Sequence, residues 1–484
     1  MRLRRRPAST LDLALAGGLG DARRALASAL LAGDTGAVLG WRSDGEPLHS
    51  SGRAAVLVLG GPGAGKTSSV LIPAVLAHPA PVVAASTKPE VMQHTASARR
   101  SGGSVLAFCP AGGTLPDGVI EARWSPLASA SDYEQAMRTA HAMVGAHTHG
   151  RHGGGEHFES RATALLGALL HAAALAGADI DAFVSWVSAG ELDPALAELE
   201  AQAPGSLALS TLRGIERTPD RERGSILSTA ADALGAYQFA GARRAASAPA
   251  DGEPAVWIDP DAFVASAADT LYLVAPAHDQ RLLASLIVGL LTDLRHATYR
   301  LSAQLVQTGH AERRIPPVLW ALDETANIAP LPDLPVLLSE AGGQGLQVMV
   351  VLQDLSQARA RWGTAGEGLL SLVGATAVLP NVRDRRTLED LSALIGDWDR
   401  PVKTTSASAT RGHSRSAHSL LADSLSRSRT RGESWTTRRE RAIPPERIAA
   451  LAAGETLLLI RGRAEVVGLR PWWDDPVFAR LAAA

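Results

Sequence analysis

The sequence predicts an α/β fold on a mostly parallel sheet, interrupted by an all-helical insertion. Three observations carry this prediction. A short, continuously apolar run at residues 54–59 ends in a glycine cluster, GGPGAGKT, at 60–67. Apolar runs of strand length then alternate with helix-length segments, the pattern of strands covered on both faces by crossover helices. Between residues 131 and 250 the strand-like runs stop and helical spacing alone persists.

Taken in order, AAVLVL at 54–59 is the first buried strand, and a helix runs on from Lys66 through SSVLIPAVLAH. PVVAAS at 81–86 is the second strand, followed by a helix to Arg100 and a third strand, SVLAF, at 104–108. Ser131 and Glu134 have the spacing of a capping box that opens the helical stretch. The strand texture returns with TLYLV at 270–274. A long apolar helix follows, then PVLWAL at 317–322, LQVMVVLQ at 346–353 and ATAVLP at 375–380. RDRRTLEDLSALIG reads as a polar-faced helix. ETLLLI and AEVVGL flank Arg461-Gly462-Arg463 as a closing hairpin.

The organisation expected is a basic, amphipathic leader at 1–45 and a nucleotide-binding domain in two parts, 46–130 and 251–400. The all-α insertion occupies 131–250. A flexible Ser/Arg-rich segment at 401–442 precedes a C-terminal hairpin and tail at 443–484.

Composition bounds the function. The 484 residues carry 47 Lys+Arg and 49 Asp+Glu, a net charge near −2, so no global basic field draws the chain to nucleic acid or membrane. The single Cys109 excludes a disulfide framework and a cysteine zinc site, and it fits a reducing cytoplasm. The best candidate membrane span, residues 164–178, is too short and carries His171; it reads as a buried helix. Asp12 and Asp21 break the N-terminal apolar stretch, so a signal peptide is not expected. Only three lysines occur, Lys66, Lys88 and Lys403, against 44 arginines. A lysine that survives such a bias is worth a chemical reason.

Lys66 has one. GGPGAGKT fits the phosphate-loop pattern in full and sits between a buried strand and a helix. Gly60, Gly61, Gly63 and Gly65 let the backbone of Gly60, Gly61, Pro62, Gly63, Ala64 and Gly65 curl, so that N–H groups and the helix start at Lys66, Thr67 and Ser68 cradle phosphates. Lys66 supplies a compact ammonium to the terminal phosphates, where a planar guanidinium does not fit, and the Thr67 hydroxyl ligates Mg²⁺. The second half of the site is expected at the end of VLWALDE: Asp323 for Mg²⁺, and Glu324 to polarise the attacking water. Gln353 ends the next strand at the same sheet edge, where an amide can sense the γ-phosphate or orient the water. Lys88, after the second strand, falls at that edge too. The expected cofactors are ATP and Mg²⁺, and the expected activity is hydrolysis of ATP. Lys403 has no reading from sequence.

At these residues the chain resembles a known family. The phosphate-loop segment, ASTKPEVMQHTASARRSGGSVLAF, WSPL at 124–127, the stretch from Leu322 to Gly363, NVRDRRTLEDLSALIG at 381–396 and IPPERIAALAAGETLLLIRGRAEV at 443–466 together resemble type IV secretion coupling ATPases of the TraG/TraD type. The likeness runs from about residue 50 to 470. It implies a RecA-like motor domain with an inserted all-helical domain. It also implies a homo-oligomeric ring, usually a hexamer, that hydrolyses ATP to pass DNA, expected single-stranded, with its relaxase into a secretion channel. Lys66, Thr67, Asp323, Glu324 and Gln353 match the family's motif positions.

Three departures matter. Membrane members carry an N-terminal transmembrane anchor; here a short basic-amphipathic leader stands in its place. The chain is therefore expected in the cytoplasm, at the inner face of the membrane if it associates peripherally. Many members have a Gly-Arg-x-Arg-Gly stretch after the Walker B helix, where this chain has Ala341-Gly342-Gly343-Gln344-Gly345. A trans arginine finger must then come from elsewhere, with Arg359, Arg361, Arg385 and Arg386 as candidates. Lys88 in STKPE keeps the lysine and glutamate of the family's Asp-Pro-Lys-Gly-Glu but not its aspartate.

Weaker signals admit bland readings. His141, His147, His149, His152 and His157 crowd together, but their spacing matches no helix-borne metal pair and a surface loop is the simpler reading. Residues 401–442 hold nine basic against three acidic residues, with Trp435 among them. They are either a phosphate-facing segment or a merely solvated one. The alternative functions are a nucleotide-switched recruiter of protein cargo and a chromosomal DNA pump of the FtsK/HerA kind.

Overall fold

The structure, a computed structural model, describes residues 35–43, 47–148, 156–309, 317–414 and 424–483. Among the described residues thirteen strands form one sheet, in the order β2-β1-β15-β14-β11-β3-β10-β9-β4-β8-β5-β6-β7. In chain order these are β1 (Thr35–Trp41), β2 (Pro47–Ser51), β3 (Val56–Leu59), β4 (Val82–Ser86), β5 (Val105–Phe108), β6 (Ile120–Arg123), β7 (Ala255–Trp257), β8 (Thr270–Val274), β9 (Val318–Leu322), β10 (Leu346–Leu352), β11 (Ala375–Val378), β14 (Glu455–Ile460) and β15 (Arg463–Gly468). β12 (Asp397–Ser414) and β13 (Ser424–Arg441) pair apart from it. From β11 to β7 every pairing is parallel; β14, β15, β1 and β2 extend the other side antiparallel. The α/β, mostly parallel expectation holds.

The central strands are apolar throughout because both faces are covered. Leu57 and Leu59 of β3, Val83 and Ala85 of β4, and Trp320 and Leu322 of β9 join one core. Their alternates Val56 and Val58, Val82 and Ala84, and Leu319 and Ala321 join a second. The first core is capped by the long helix Gln280–Gln307 and the helices between β6 and β7. The second is capped by the phosphate-loop helix, by Glu90–Arg100, and by Pro476–Ala483.

Four strands were not foreseen. β1 and β2 lie at the sheet edge, and β1 occupies residues assigned to the leader. β6 and β7 flank the helical stretch and are parallel neighbours, so the chain leaves and re-enters the sheet at adjacent positions. β2, β6 and β7 are short, partly exposed strands without a continuous apolar run, which is why periodicity passes over them, whereas β1 is seven residues long and buried from residue 36 to 41. The remainder of the leader lies outside the described residues. Residues 164–178 fall largely in the helix Glu156–Leu175, whose Leu165, Leu166, Leu169 and Leu170 are fully buried. Among the described residues no helix is long and apolar enough to cross a membrane.

The helices between β6 and β7 are tied to the sheet layer by one carboxylate. Asp293, in the long helix, is buried and accepts from Trp124 Nε1 (3.0 Å), Ser129 Oγ (2.9 Å), Gln135 Nε2 (2.7 Å) and Thr139 Oγ1 (3.4 Å). WSPL thus anchors the first turn of the helical region. Gly289 permits it, since a Cβ there would lie 2.7 Å from the Trp124 ring. The expected capping box is displaced by one residue: the helix Tyr133–Thr148 is capped by Asp132, which accepts from Glu134 N at 2.9 Å, rather than by Ser131.

Residues 401–442, expected to be flexible, contribute instead to a two-stranded antiparallel ribbon in which β12 and β13 pair in unbroken register from Asp397↔Arg441 to Ser414↔Ser424. Its Ser, Thr and Arg residues provide no apolar face, so sequence offers no strand signal; backbone ladder bonds hold it. Register sorts its charges. Arg427, Arg429 and Arg431 share one face, with Arg411 directly opposite Arg427. Lys403 and Trp435 lie opposite one another on that face. The Lys403 ammonium is 5.7 Å from the Trp435 ring centroid and 2.9 Å from Glu433, which accounts for the third lysine's contacts. At the base, Arg439 and Arg441 are both paired with Asp397. Among the described residues, Arg411, Arg427, Arg429 and Arg431 have no carboxylate partner.

Burial pushes the Asp293 carboxyl pKa up, against the pull of its four donors. Asp293→Asn turns an acceptor oxygen into a donor and orphans at least one N–H, a loss of about 1–3 kcal/mol. We expect the thermal midpoint to fall by several degrees in calorimetry; an unchanged midpoint contradicts the anchor.

Candidate functional site

Four adjacent parallel strands build the site. β3, β10, β9 and β4 lie side by side and run the same way, so Leu59, Leu352, Leu322 and Ser86 end at one sheet edge. Ligands of parallel sheets bind beyond that edge.

The phosphate loop leaves β3. Gly60 N donates to the carbonyls of Leu352 (3.3 Å) and Gln353 (3.1 Å), and Gly61 N donates to Pro380 (3.0 Å). The expectation that Gly60 and Gly61 present N–H groups to phosphate is therefore corrected: both donors are spent on neighbouring strand ends. Their role is to let chains approach, since a Cβ on Gly61 would lie 2.3 Å from the Asn381 carbonyl oxygen. Gly63 and Gly65 take left-handed φ values of 70° and 87°. The helix opens with a π-helical turn, Lys66–Leu71, and continues as Ile72–Ala77. The N–H groups of such a first turn lack acceptors within the helix, which makes Lys66, Thr67 and Ser68 natural anion donors.

Lys66 is nearly buried and donates to the loop's own Gly60 carbonyl and, at 3.0 Å, to that of Gly61. Burial lowers its pKa, opposed by Glu324 and Asp323. Across the edge, the Thr67 hydroxyl donates to Asp323 Oδ2 at 3.1 Å, joining residues 256 apart in sequence. Ser86 Oγ reaches the same oxygen at 3.4 Å and accepts from Lys88 N at 3.3 Å. A hydroxyl and a carboxylate oxygen side by side are the hard donors that Mg²⁺ takes.

Glu324 follows at φ 46°, ψ 42°, a left-handed conformation rare for a residue with a side chain. Its N–H donates to Asp323 Oδ1 at 3.1 Å. Strain of this kind costs about 1–3 kcal/mol and gathers where function needs it. Here it turns the chain at the strand end and brings Glu324 into the cavity wall. Gln353 N donates to Gln357 Oε1 at 2.9 Å and its carbonyl accepts from Gly60 N at 3.1 Å, while the residue lines the same cavity.

One cavity of ≈ 410 Å³ gathers these groups: Pro62 to Ser68, Lys88, Asp323, Glu324 and Gln353 all line it. Thr87, Glu90, His94, Trp472 and Trp473 complete the wall. None of these five is marked as a site residue by the sequence, and PWWDD at the chain end has no local motif. Only the tertiary fold brings it here: Asp475 caps Pro476–Ala483, whose Val477, Phe478 and Leu481 pack into the second core beside the phosphate-loop helix.

The candidate finger residues separate. Arg359 is paired with Asp384, and Arg361 donates to the carbonyls of Gly145 (3.3 Å) and Ala146. Arg386 pairs with Glu367 at 2.7 Å. Among the described residues Arg385 pairs along its own helix, with Glu389 at 2.8 Å, and its side chain is 89% exposed. Residues 341–344 form a short 3₁₀ turn, and a Cβ on Gly342 would lie 1.9 Å from the Arg53 carbonyl oxygen. Of the histidines, His149 and His152 lie outside the described residues. Among the described residues no three His, Cys, Asp or Glu side chains gather as a metal site.

Residues 317–453 match a family model described as the TraM recognition site of TraD and TraG. No curated protein matches the sequence. Solved structures do match the fold. A bacterial conjugative coupling protein, TrwBdeltaN70 in an unbound monoclinic form, superposes with a TM-score of 0.63 at 18% identity, covering 90% of this chain and 88% of that one. The plasmid coupling protein TrwB with the ATP analogue ADPNP gives 0.59 at 18% identity, covering 87% and 86%. TrwB with ADP and Mg²⁺ gives 0.60 at 17% identity, covering 88% of each. At these identities the likeness establishes the fold alone, the mostly parallel α/β sheet described above. Together with the family match it bears out the resemblance to TraG/TraD-type coupling proteins.

Burial and the adjacent Glu324 push the Asp323 pKa up, while Thr67 and Lys66 pull it down less strongly. In the folded protein alone, protonation is thereby favoured, so this group's contribution to stability is present at low pH and is lost as pH rises through the folded pKa. Mg²⁺ competes with that proton, so the sign reverses for binding. Mg²⁺-dependent nucleotide affinity should fall as pH drops through the raised pKa. Titration of a fluorescent ATP analogue with and without Mg²⁺ checks this. Asp323→Asn should remove both the Mg²⁺ dependence and the acid limb. A loss confined to pH below ~4 contradicts the raised pKa.

Proposed function

We propose that this chain, with the fold and the C-terminal family match of a TraG/TraD-type coupling protein, is an ATP-hydrolysing motor that feeds DNA to a conjugative secretion channel. The observation that carries the ATPase reading is the Thr67–Asp323 bond, with Lys66, Glu324 and Gln353 around the same cavity.

The chemistry follows from the residues. Thr67 and Asp323 would hold Mg²⁺, which when bound neutralises charge on the β- and γ-phosphates. Lys66 exchanges its Gly60 and Gly61 carbonyls for phosphate oxygens and draws off charge as the terminal phosphoryl departs. Glu324 accepts the proton of the water that attacks phosphorus, and Gln353 orients that water from the neighbouring strand end. Lys88 adds a second ammonium at the rim. In a homo-oligomeric ring, a hexamer in this reading, Arg385 is the candidate best placed to reach a neighbour, being exposed and tied only within its own helix.

The DNA reading rests on the arginine-lined ribbon and on the comparisons. Alternate residues on one strand face stand about 6.6 Å apart. Arg427, Arg429 and Arg431 thus offer a regular row of guanidinium groups to a phosphate backbone, with Trp435 available to stack a base. The cargo in this reading is single-stranded DNA carrying its relaxase, with channel components as further partners and the cytoplasmic face of the membrane as the place of action. A second reading has one observation in its favour: the matched family model is described as a partner-recognition site, so residues 317–453 would dock a protein under nucleotide control.

Two experiments decide. Lys66→Ala should abolish turnover with the fold intact by circular dichroism, and Glu324→Gln should retain ATP without turning it over; normal hydrolysis in either removes the assigned site. Single-stranded DNA should raise the ATPase rate. Arg427→Gln/Arg429→Gln/Arg431→Gln should weaken DNA binding and reduce the slope of log affinity against log salt by about 2. If DNA changes neither rate nor oligomeric state, the recruiter reading replaces the motor.

A further inference from the structure

The cavity is larger than a phosphate site requires, and its remaining wall carries His94, Trp472 and Trp473 beside Ile72, Thr87 and Glu90. Trp472 is held there from two sides. Its backbone N–H donates to the Ser68 carbonyl at 3.0 Å, one residue beyond the Mg²⁺-binding Thr67, and its ring lies 5.0 Å from the His94 ring at 43°. Trp473 stands nearly perpendicular to it, at 82° and 5.7 Å between centroids. Trp472 Nε1 is buried and, among the described residues, has no hydrogen-bond partner, so the side-chain surface it lends to the cavity is carbon. Trp473 is 54% exposed at the same wall. A large apolar ring left in water beside polar groups is a surface that gains by being covered.

We propose that Trp472 and Trp473, backed by His94, are the nucleobase platform of this site. The inference rests on the nucleotide-site reading and deepens it. A triphosphate seated on the loop carries its nucleoside outward along the same cavity. The flat ligand group that meets an aromatic wall there is the base, held by stacking. Every base has a π face, so stacking contributes affinity without reading identity. Discrimination would need buried hydrogen-bonding groups along the base edge. The described side chains on this wall offer Thr87, Glu90 and His94 at most, none of them buried, and the His94 ring packs against Trp472. The site therefore takes nucleoside triphosphates as a class, with ATP and GTP bound within a few-fold of one another.

The test compares ATP, GTP and inorganic tripolyphosphate by calorimetric titration of the full chain with Mg²⁺. The wild type should bind both nucleotides alike and tripolyphosphate more weakly. Trp473→Ala should weaken ATP and GTP together by roughly 5- to 100-fold and leave tripolyphosphate unchanged, with Trp473→Phe restoring most of the loss. Unchanged ATP affinity in Trp473→Ala, an equal loss for tripolyphosphate, or a change in oligomeric state with affinity intact would each overturn the platform. Lys66→Ala separates the underlying reading, because it should weaken all three ligands. If ATP binding survives Lys66→Ala, the nucleotide site itself is misplaced; if only the Trp473 result fails, the platform alone is lost.

Discussion

The hydrogen bond from Thr67 to Asp323 is the constraint on which the functional geometry depends. It joins the first residues of the phosphate-loop helix to the end of β9 across 256 residues of chain. Neither partner is placed by its own segment alone. β10 lies between β3 and β9, so the distance between loop and carboxylate is set by the spacing of three parallel strands. Those strands are rigid because apolar side chains cover both faces, Leu57 and Trp320 on one side and Val58 and Ala321 on the other. Packing of this density transmits a change at one strand end to its neighbours.

The same logic explains how distant parts of the chain serve the site. The C-terminal helix packs beside the phosphate-loop helix and delivers the tryptophan pair to its flank. The helices between β6 and β7 are fastened through Asp293 to the long helix that precedes β9, which gives the nucleotide edge a packed route to the inserted region. The ribbon has a different character. Among the described residues it joins neither core of the sheet, its outward arginines carry no carboxylate partners, and its ladder is supplemented by the Lys403–Trp435 contact and by ion pairs at Glu433 and Asp397.

What was legible in the sequence follows from how local each signal is. The phosphate loop and the Asp323-Glu324 strand end are short motifs whose meaning survives without neighbours, and both halves come together as read. The buried parallel strands announce themselves by continuous apolar runs. β2, β6 and β7 are short and partly exposed, so nothing in their spacing marks them, while the apolar residues of β1, buried over 36–41, are interrupted by Gly36 and Gly40. The ribbon was read as flexible because it has no apolar face, although alternation of Arg with Ser along β13 was visible. Gly60 and Gly61 were read as phosphate donors from motif position, but only the structure shows their N–H groups spent on Leu352, Gln353 and Pro380. Trp472 and Trp473 belong to the site through tertiary distance alone.

The central claim is that Thr67 and Asp323 act together on one Mg²⁺-nucleotide complex. A double-mutant cycle measures this directly: Mg²⁺·ATP affinity for the wild type, Thr67→Ala, Asp323→Asn and the double variant, under one set of conditions. Residues that share one ligand couple, so the account predicts a double variant scarcely weaker than the weaker single, with a coupling free energy above about 1 kcal/mol. Additive losses, or single variants that bind Mg²⁺·ATP as tightly as the wild type, would contradict it.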